Sequence, residues 1–578
     1  MTGILFTKLA GGGSSSVIQV SKSIGDGVTN NTATIQAELD SLFATYPNGS
    51  VLGFTKGNYV ASQIVIHRNQ MVVGIEGVQA VTFTQAANSN SDFITSENFA
   101  ALTGTGAIYG TNPLVPSWYG LCDVHINGNA SNQGAGNWRG IAFYGNAIRM
   151  LGNILVENCK QDNIYTESAG GFAYSATDWR SAEEGLFEYI ESRNAGRHGW
   201  LFRGPHDSRI IDLLSFENGG TGFRCEASGT TYVGSCHIDQ IHTYTNGGGL
   251  GQYYGTSCTI GKSYSDFDNI TLDGPGTMIE QCFQIQQGYT AGVNSLIFTA
   301  NANFCTIGSH KMDFYPSATN IVGVEIQSGG GSVTIANSQA CKVPGTSGIT
   351  LYKVRSNFCT INAQASNATG AGSVAFDINA AYTKIKGSGY SNTTHVLYGG
   401  GNNNDIELEV YGGTTVLTGS AGVTDSFKIT SDQGSTISLP AFSMSSPHNN
   451  SGQVVGNFGG MMTGFYIPAY QIQVTFKGAE ANSGYSKQVP VTGFTISVGL
   501  SVSQLLLDPA GTLATGTINF PSAPVDGQKL TISSTTIITA LTLAYAGGTI
   551  KNPVTTLAAG QAVGWQYVAG NTTWYRIQ

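Results

Sequence analysis

Hydrophobic residues recur at helical spacing near the start of the chain and almost nowhere later. Ile35, Leu39 and Leu42 follow Thr32 at intervals that predict a short helix with Thr32 at its N-cap. Val51–Tyr59 then predicts a strand that is interrupted near its end by Lys56-Gly57-Asn58. From there to about residue 425, short β-rich runs alternate with glycine and asparagine turns. The pattern therefore predicts an almost entirely β protein.

The β-rich stretch repeats when it is aligned on Asn158, Asn194, Asn218 and Asn246. Three columns of strand residues then also align. They contain Ile154, Ile190, Leu214 and His242; Val156, Ser192, Phe216 and Tyr244; and Ile164, Trp200, Phe223 and Leu250. Because alternate residues of a strand share a face, we expect these columns and the asparagines to point inward. Coils that bury their inner face only by stacking make a parallel β-helix, so we predict that fold.

Changes in sequence texture divide the chain into five segments. They are a short leader at 1–22 whose first twenty residues are flexible, an N-terminal cap at 23–60, the parallel β-helix at 61–425, a serine-rich linker at 426–450 and a C-terminal module at 451–578. Strand runs between glycine, proline and asparagine turns predict that the last segment is a β-sandwich or jelly roll, for trimerisation or carbohydrate binding.

Composition fits a large packed β surface. Of the 578 residues, 41% are hydrophobic and only 11% are charged, which excludes a disordered chain. The net charge of −9 argues against a nucleic-acid partner. No run of about 20 apolar residues predicts a membrane span, and the N-terminus lacks the apolar stretch of a signal peptide.

Cysteine spacing and short motifs point to no cofactor and no metal. The nine cysteines form no C-x-x-C pair, which indicates reduced, buried cysteines in a protein folded in a cytosol. Phosphate-binding loops, nucleophile elbows, H-E-x-x-H motifs and EF-hand spacing are also absent.

The segment Gly25-Asp-Gly-Val-Thr-Asn-Asn-Thr-Ala-Thr-Ile-Gln-Ala-Glu-Leu-Asp40, followed by Lys56-Gly57-Asn58-Tyr59, resembles the opening of phage tailspikes and pectate-lyase-like β-helix proteins. The order of leader, β-helix and C-terminal module also resembles capsule-depolymerising tailspikes. The resemblance implies a right-handed β-helix, a homotrimer and degradation of a bacterial capsular polysaccharide. It further implies a virion protein made in the host cytoplasm, released by lysis, whose short N-terminus docks onto another tail protein.

Charged residues concentrate at the outward positions of the aligned coils. Just before the asparagines stand Glu157, Arg193, Glu217 and Thr245, and just after the turn stand Glu167, Arg203, Glu226 and Tyr253. Acids two coils apart lie roughly 10 Å apart at Cβ, close to the ~6.5–9.5 Å that separates the carboxyls of inverting glycosidases. We therefore take Glu157, Glu217, Glu167 and Glu226 as catalytic candidates. The alternative is that glutamate and arginine alternate only to form cross-strand ion pairs.

The same coils supply candidate substrate-binding residues. They are Arg193, Arg203, Arg224, Tyr165, Trp179, His198 and Tyr253. Trp179 belongs to an aromatic insertion at 169–182, and a sugar ring stacks on such side chains. His198, Tyr165, Arg193 and Arg203 would also suit a lyase, which needs a base and a cation beside a uronate.

Three functions follow from these candidates. Endo-glycoside hydrolysis of a capsule needs the paired carboxylates and fits them best. The alternatives are β-elimination on a uronate-containing capsule and a non-enzymatic receptor-binding spike. The sequence identifies neither the capsule type nor the linkage.

Overall fold

The computed structural model describes most of the chain. Described are residues 17–411 apart from 78–79, 108–111, 169–183, 228–235, 290–292, 330, 342–346 and 402; the strands Thr415–Gly419, Ser426–Ser431, Ser451–Gly456, Tyr466–Ile467 and Ile472–Val474; and residues 484–578 apart from 501. Two compact units result, the first mainly Met1–Glu407 and the second mainly Ser446–Gln578. Within the described residues, no helix is long and apolar enough to cross a membrane.

The N-terminal cap contains the predicted helix, at Thr32–Thr45, with Ile35, Leu39 and Leu42 buried. The predicted N-cap is wrong by one residue. Asn31 is the N-cap, and its carbonyl accepts the Ile35 N–H at 2.9 Å. The Thr32 hydroxyl instead accepts the backbone N–H of Ser62 at 2.7 Å, which ties the helix to the first coils.

The strands of the cap bear on two expectations from the sequence, the flexible leader and the first strand. Val17–Val20 is a strand that pairs in parallel with Ser50–Phe54, so the end of the predicted flexible leader is ordered, while residues 1–16 lie outside the described part. The predicted interruption of the strand Val51–Tyr59 is confirmed, because this stretch is two strands, Ser50–Phe54 and Gly57–Ala61, although the break comes just before Gly57. A Cβ on Gly57 would lie 2.8 Å from the Cα of Gly25. This close approach explains why both segments of the tailspike-like opening contain glycine.

The first unit is a parallel β-helix with two long sheets, which confirms the predicted fold class of a right-handed parallel β-helix. Sheet A contains, after the cap strands Asp26–Asn30, Gln70–Gly74 and Val81–Gln85, the strands Ser117–Asn127, Asn146–Glu157, Leu186–Arg193, Arg209–Phe216, Cys236–Tyr244, Cys258–Asp266, Met278–Gln287, Thr306–Phe314, Thr334–Cys341, Thr360–Ser366, Lys384–Tyr390 and Asp405–Tyr411.

Sheet B alternates with sheet A along the chain. Its strands are Ile64–Ile66, Ile94–Ser96, Ile141–Tyr144, Ile164–Glu167, Trp200–Arg203, Phe223–Cys225, Leu250–Tyr254, Asn269–Leu272, Leu296–Phe298, Val322–Ile326, Thr350–Val354, Val374–Asn379, Thr394–Gly400 and Thr415–Gly419. A short helix, Phe99–Leu102, lies between two of them along the chain.

The core of the β-helix is built from stacked residues of one type. One inward position of sheet A is isoleucine on eight successive coils, all fully buried: Ile210, Ile238, Ile260, Ile279, Ile307, Ile335, Ile361 and Ile385. A β-branched side chain packs well on a pleated surface, so repeating it fixes the register of each coil on the next.

The four aligned asparagines lie on successive stacked coils, but they do not form one column. Asn158 and Asn194 have left-handed backbones (φ of 54° each) and are not buried. On the next two coils Glu217 and Thr245 take that left-handed position, with φ of 54° and 50°. Asn218 and Asn246 therefore stand one residue further on, where both are buried.

Asn218 and Asn246 belong to a ladder of buried hydrogen bonds. The Ala195 N–H donates to Asn218 Oδ1 at 3.0 Å, and the Asn218 amide donates to Asn246 Oδ1 at 2.9 Å. The Asn246 amide in turn donates to Asp268 Oδ2 at 2.7 Å. Each side chain thus satisfies polar groups of its neighbour, as a buried amide requires.

The offset changes the predicted columns. Ile154 and Ile190 stack on Leu213 and Ile241, whereas Leu214 and His242 face outward. Val156 and Ser192 stack on Ser215 and Thr243, and Phe216 and Tyr244 belong to an outward column. In sheet B, Ile164, Trp200 and Phe223 stack as predicted, but the next residue is Gln252 and not Leu250.

The second unit has its own sheets, as predicted for a C-terminal module. A six-stranded sheet contains Tyr485–Gln488, Gln504–Leu507, Lys529–Ser534, Thr549–Lys551, Ala562–Val568 and Thr573–Arg576, and a three-stranded sheet contains Phe494–Ser497, Gly516–Asn519 and Leu541–Ala544. Among the described strands of these two sheets, pairing is antiparallel only around Ala562–Val568 and parallel elsewhere, unlike a jelly roll.

The aromatic cluster near the C-terminus is core. Trp565 and Trp574 are fully buried, and Tyr567 packs with them. The predicted linker at 426–450 begins with the strand Ser426–Ser431, which pairs in parallel with Ser451–Gly456. Residues 432–450 lie outside the described part.

Candidate functional site

Three outward columns of sheet A bring acids, bases and aromatic side chains together on successive coils. The first contains Asn153, Tyr189, Asp212, Gln240 and Lys262; the second His125, Leu155, Glu191, Leu214, His242 and Tyr264; the third Asn127, Glu157, Arg193, Phe216, Tyr244 and Asp266. We call this surface the sheet A face.

Glu157 is held from three sides on the sheet A face. Its Oε1 lies 3.0 Å from His125 Nε2 and accepts a hydrogen bond from Asn127 at 3.1 Å, and its Oε2 accepts one from Arg193 Nε at 2.8 Å. Burial lowers the pKa of His125 despite the nearby carboxylate. Glu157 and Arg193 therefore form the cross-strand ion pair that was the alternative to catalysis.

Arg193 links Glu157 to the next acids along the face. Its NH1 group lies 3.4 Å from Glu191 Oε1. Burial alone would lower the pKa of Arg193. The hydrogen bond from Arg193 to Glu157 and the charges of Glu157, Glu191 and Glu217 raise this pKa by more than burial lowers it, so the net shift is upward. Arg193 stays charged among these carboxylates.

Glu217 does not share a column with Glu157 and Arg193. The residue paired with Arg193 is Phe216, and Glu217 follows it in the exposed left-handed turn. The predicted column of Glu157, Arg193, Glu217 and Thr245 is therefore wrong at its last two members. The sequence alignment on asparagine caused this one-residue error.

A pocket of about 200 Å³ on the sheet A face contains Glu191 and Asp212, two acids that the sequence offers as further candidates but favours as solvated surface residues. It is lined by Asn153, Ile154, Leu155, Tyr189, Ile190, Glu191, Asp212 and Leu214. Burial raises the pKa of Asp212, against the lowering effect of its hydrogen bond with Gln240. Tyr189 is 51% exposed at the rim, so an aromatic face is open to a ligand.

The two pocket acids stand diagonally across adjacent coils. Asp212 pairs with Tyr189, and Glu191 pairs with Leu214. The two acids are offset by one strand across the sheet, ~4.8 Å, and by two residues along the strand, each with a rise of ~3.3 Å. Their Cβ atoms therefore lie about 8 Å apart. That separation leaves room for a water molecule between two carboxyls.

Aromatic side chains continue from the pocket along the helix axis. The Phe216 and Tyr244 rings stack with centroids 4.5 Å apart and planes 8° apart. His242 lies beside them, 4.4 Å from the Tyr264 ring, and burial lowers the pKa of His242. The sheet A face therefore carries aromatic rings beside carboxylates on successive coils.

Sheet B does not present its candidates on an open groove. Tyr165 and Glu167 are 2% and 1% exposed, because Phe99 and Leu102 of the short helix pack over this face. The Tyr165 hydroxyl donates to Glu167, which also accepts the Gly104 N–H at 3.1 Å. Burial and the charge of Glu167 raise the pKa of Tyr165.

The other sheet B candidates form a saturated ion-pair cluster. Glu226 accepts hydrogen bonds from Arg203 Nε at 3.0 Å and Arg224 Nε at 2.6 Å. Burial raises the pKa of Glu226, but the two arginines lower it by more. Arg224 lies over the Tyr253 ring at 4.2 Å, so Tyr253 stands in the Arg224 column and not in the predicted Glu226 column.

Of the two remaining candidates, His198 is not brought to either group. His198 lies in the turn between the sheets, where its Nδ1 accepts the Thr221 N–H at 3.1 Å. Burial lowers its pKa to about 4, so it is neutral at pH 7. Trp179 and its insertion lie outside the described residues.

Comparison with known proteins gives fold likeness only. No protein-family model matches the sequence, and no curated protein is similar enough to count as a match. Similar solved structures include the Azotobacter vinelandii mannuronan C-5 epimerase AlgE6 A-module, 14% identical over 79% of this chain and 96% of that one, with a TM-score of 0.34.

Two phage proteins are also similar. They are the pre-mature bacteriophage phi29 gene product 12 (13% identity, 92% of this chain, 66% of that one, TM-score 0.47) and Geobacillus virus E2 ORF18 (13%, 80%, 63%, 0.23). At such identities and TM-scores, these likenesses say nothing about the reaction of this chain.

Proposed function

We propose that this chain is a phage tailspike that binds a bacterial capsular polysaccharide and cleaves it by endo-glycoside hydrolysis on the sheet A face. The observation that carries the proposal is the pocket that Glu191 and Asp212 line from adjacent coils, where strand geometry places their Cβ atoms about 8 Å apart. The tailspike-like opening at Gly25–Asp40 supports the polysaccharide as substrate.

Asp212 is the general acid of this mechanism. Burial raises the pKa of Asp212, which favours a proton on the carboxyl for the leaving glycosidic oxygen. Glu191 is the general base. It faces Arg193 at 3.4 Å, and it would activate a water that attacks the sugar from the opposite side. The reaction would therefore invert the configuration at the cleaved carbon.

The residues around the two acids have supporting roles. Glu157 holds Arg193, and Arg193 orients Glu191, so both act as positioning residues. Tyr189 and the Phe216–Tyr244 stack would pack against sugar rings on either side of the cleaved bond. The sheet B acids Glu167 and Glu226 would hold the coils together through their buried or paired contacts.

The first test uses a panel of purified capsular polysaccharides. A native gel first identifies the capsular polysaccharide that binds the wild-type protein and changes its mobility. That polysaccharide is then incubated with the protein, and its chain length is measured by gel filtration. We expect shorter chains, new reducing ends and no new ultraviolet absorbance. Absorbance from a conjugated double bond would replace hydrolysis with β-elimination, for which His242 and Tyr244, two coils from Arg193 on the same face, are the available bases. Unchanged chain length would leave a receptor-binding spike.

The second test locates the reaction. Asp212→Asn and Glu191→Gln each keep side-chain size and remove one ionisable group, so each should lower the cleavage rate about 10²–10⁴-fold with little change in thermal unfolding. Glu226→Gln is the matched control and should lower stability more than rate. Glu157→Gln and Glu217→Gln test the pair predicted from the sequence. If those two variants lose a comparable amount of rate while Asp212→Asn keeps full activity, the active site lies at Glu157 and Glu217 and not in the pocket.

A further inference from the structure

Three cysteines meet inside the β-helix at the corner between sheet B and sheet A. Cys225 ends the strand Phe223–Cys225, and Cys236 and Cys258 begin the next two strands of sheet A, where they are paired neighbours. All three are at most 1% exposed. They come from three different coil segments, so only the folded chain brings them together.

The three sulfur atoms have the spacing of metal ligands. Sγ of Cys258 lies 3.3 Å from Sγ of Cys236 and 3.7 Å from Sγ of Cys225, and all three lie within 4.8 Å of one another. The point in the plane of the three sulfur atoms that is equidistant from them lies about 2.4 Å or less from each. A Zn–S bond is ~2.3 Å long, so the two distances agree. A zinc ion fits between them without movement of the backbone.

Simple filling of the core does not account for this arrangement. Cys305 and Cys359 occupy the position of Cys236 and Cys258 on later coils, where they are small, buried, inward-facing residues of the core. Neither belongs to a three-sulfur group within the described residues. Cys225 approaches from the other sheet and completes the triad only at this level. The Thr256 hydroxyl, 3.4 Å from Cys225 Sγ, adds an oxygen at the same place.

We propose that Cys225, Cys236 and Cys258 bind one structural zinc ion, with the Thr256 hydroxyl in the fourth position. The ion links two coils of sheet A to sheet B from the inside. Binding replaces three S–H bonds by three Zn–S bonds and releases three protons to solvent, with no change of oxidation state. The stacked coils then enclose the ion, so exchange with solvent requires local opening of the β-helix.

The test measures metal in the full-length protein, purified without metal-affinity resin or chelator. We expect about one zinc per chain by mass spectrometry, retained through dialysis against EDTA and released on unfolding in guanidinium. Cells grown with cobalt should yield protein with thiolate-to-cobalt charge-transfer absorption. These readouts do not involve polysaccharide, so they stand or fall independently of the proposed hydrolysis.

Single substitutions separate the triad from other buried cysteines. Cys236→Ser and Cys258→Ser should reduce zinc to about a tenth or less per chain, whereas Cys305→Ser and Cys359→Ser should keep it. If the first two variants fail to fold, the metal content and cobalt spectrum of the wild type still decide. Wild-type protein without stoichiometric zinc, or with a Cys236–Cys258 disulfide in its peptide map, overturns the proposal.

Discussion

Asp268 places a carboxyl group at the end of a buried ladder of amides. Its two oxygens accept the backbone N–H of Asn246 at 3.1 Å and the side-chain amide of Asn246 at 2.7 Å. Burial raises the pKa of Asp268 to about 7, although these hydrogen bonds act in the opposite direction. The side chain is therefore partly protonated in the folded protein near neutral pH.

The shift makes stability depend on pH. Below the ordinary value of 3.8, Asp268 is protonated whether the chain is folded or unfolded. Between 3.8 and about 7, only the unfolded chain loses the proton, so the folded state is progressively destabilised, by about 4 kcal/mol in all. Asp268→Asn should remove this dependence and raise the melting temperature at pH 8 but not at pH 4.

Thermal unfolding at both pH values checks this prediction. Asp405→Asn serves as the control, because it removes an exposed acid 3.6 Å from Lys384 and should not raise the melting temperature at pH 8. Equal shifts of Asp268→Asn at pH 4 and pH 8 would contradict a raised pKa.

At the scale of the coil, two asparagines that look alike in sequence have different functions. Asn218→Ala would leave the buried Ala195 N–H without its acceptor, at a cost of about 1–3 kcal/mol, and would remove one of the two hydrogen bonds that Asn246 Oδ1 accepts from residue 218. Asn194→Ala loses only an exposed side chain and pays about 1 kcal/mol for the left-handed backbone.

Denaturant midpoints distinguish these costs. We expect the midpoint of Asn218→Ala to fall well below that of Asn194→Ala, and Asn194→Gly to be close to wild type. A larger loss in Asn194→Ala would restore the single asparagine column that the sequence predicted.

Sequence periodicity was sufficient for the fold but not for the register of every coil. Alternation and repeated turns indicated stacked coils, because period-two patterning is a local property. The alignment failed at Glu217 and Thr245, since a left-handed turn accepts residues other than asparagine when the neighbouring coils hold it. A shift of one residue moves a side chain to the opposite face.

That shift also explains why the columns predicted from the sequence did not contain the two pocket acids. With the register corrected, Glu191 and Asp212 face one pocket, while Glu217 leaves the predicted column. The burial of Glu167 under Phe99–Leu102 could not be read from local pattern at all. It depends on a contact between segments more than sixty residues apart.

For the whole molecule, we predict a homotrimer. The low fraction of charged residues, 11%, and the tailspike-like opening support this assembly. Light scattering at micromolar concentration should return three times 60.5 kDa, and the trimer should resist heat and protease because unfolding must also separate subunits. A mass near 60.5 kDa would contradict the prediction. Removing residues 451–578 should weaken assembly more than coil formation.

The unequal coil lengths have a consequence for host range. Between paired positions, 36 residues separate Glu157 from Arg193, 23 separate Arg193 from Phe216, and 28 separate Phe216 from Tyr244, yet the strands stay in parallel register. The extra residues lie between the strands in sequence, and the stacked strands do not sense their number. On the function proposed above, a lineage of such proteins can therefore exchange the segments between strands to meet a new surface sugar, without redesigning the scaffold that supports the acids.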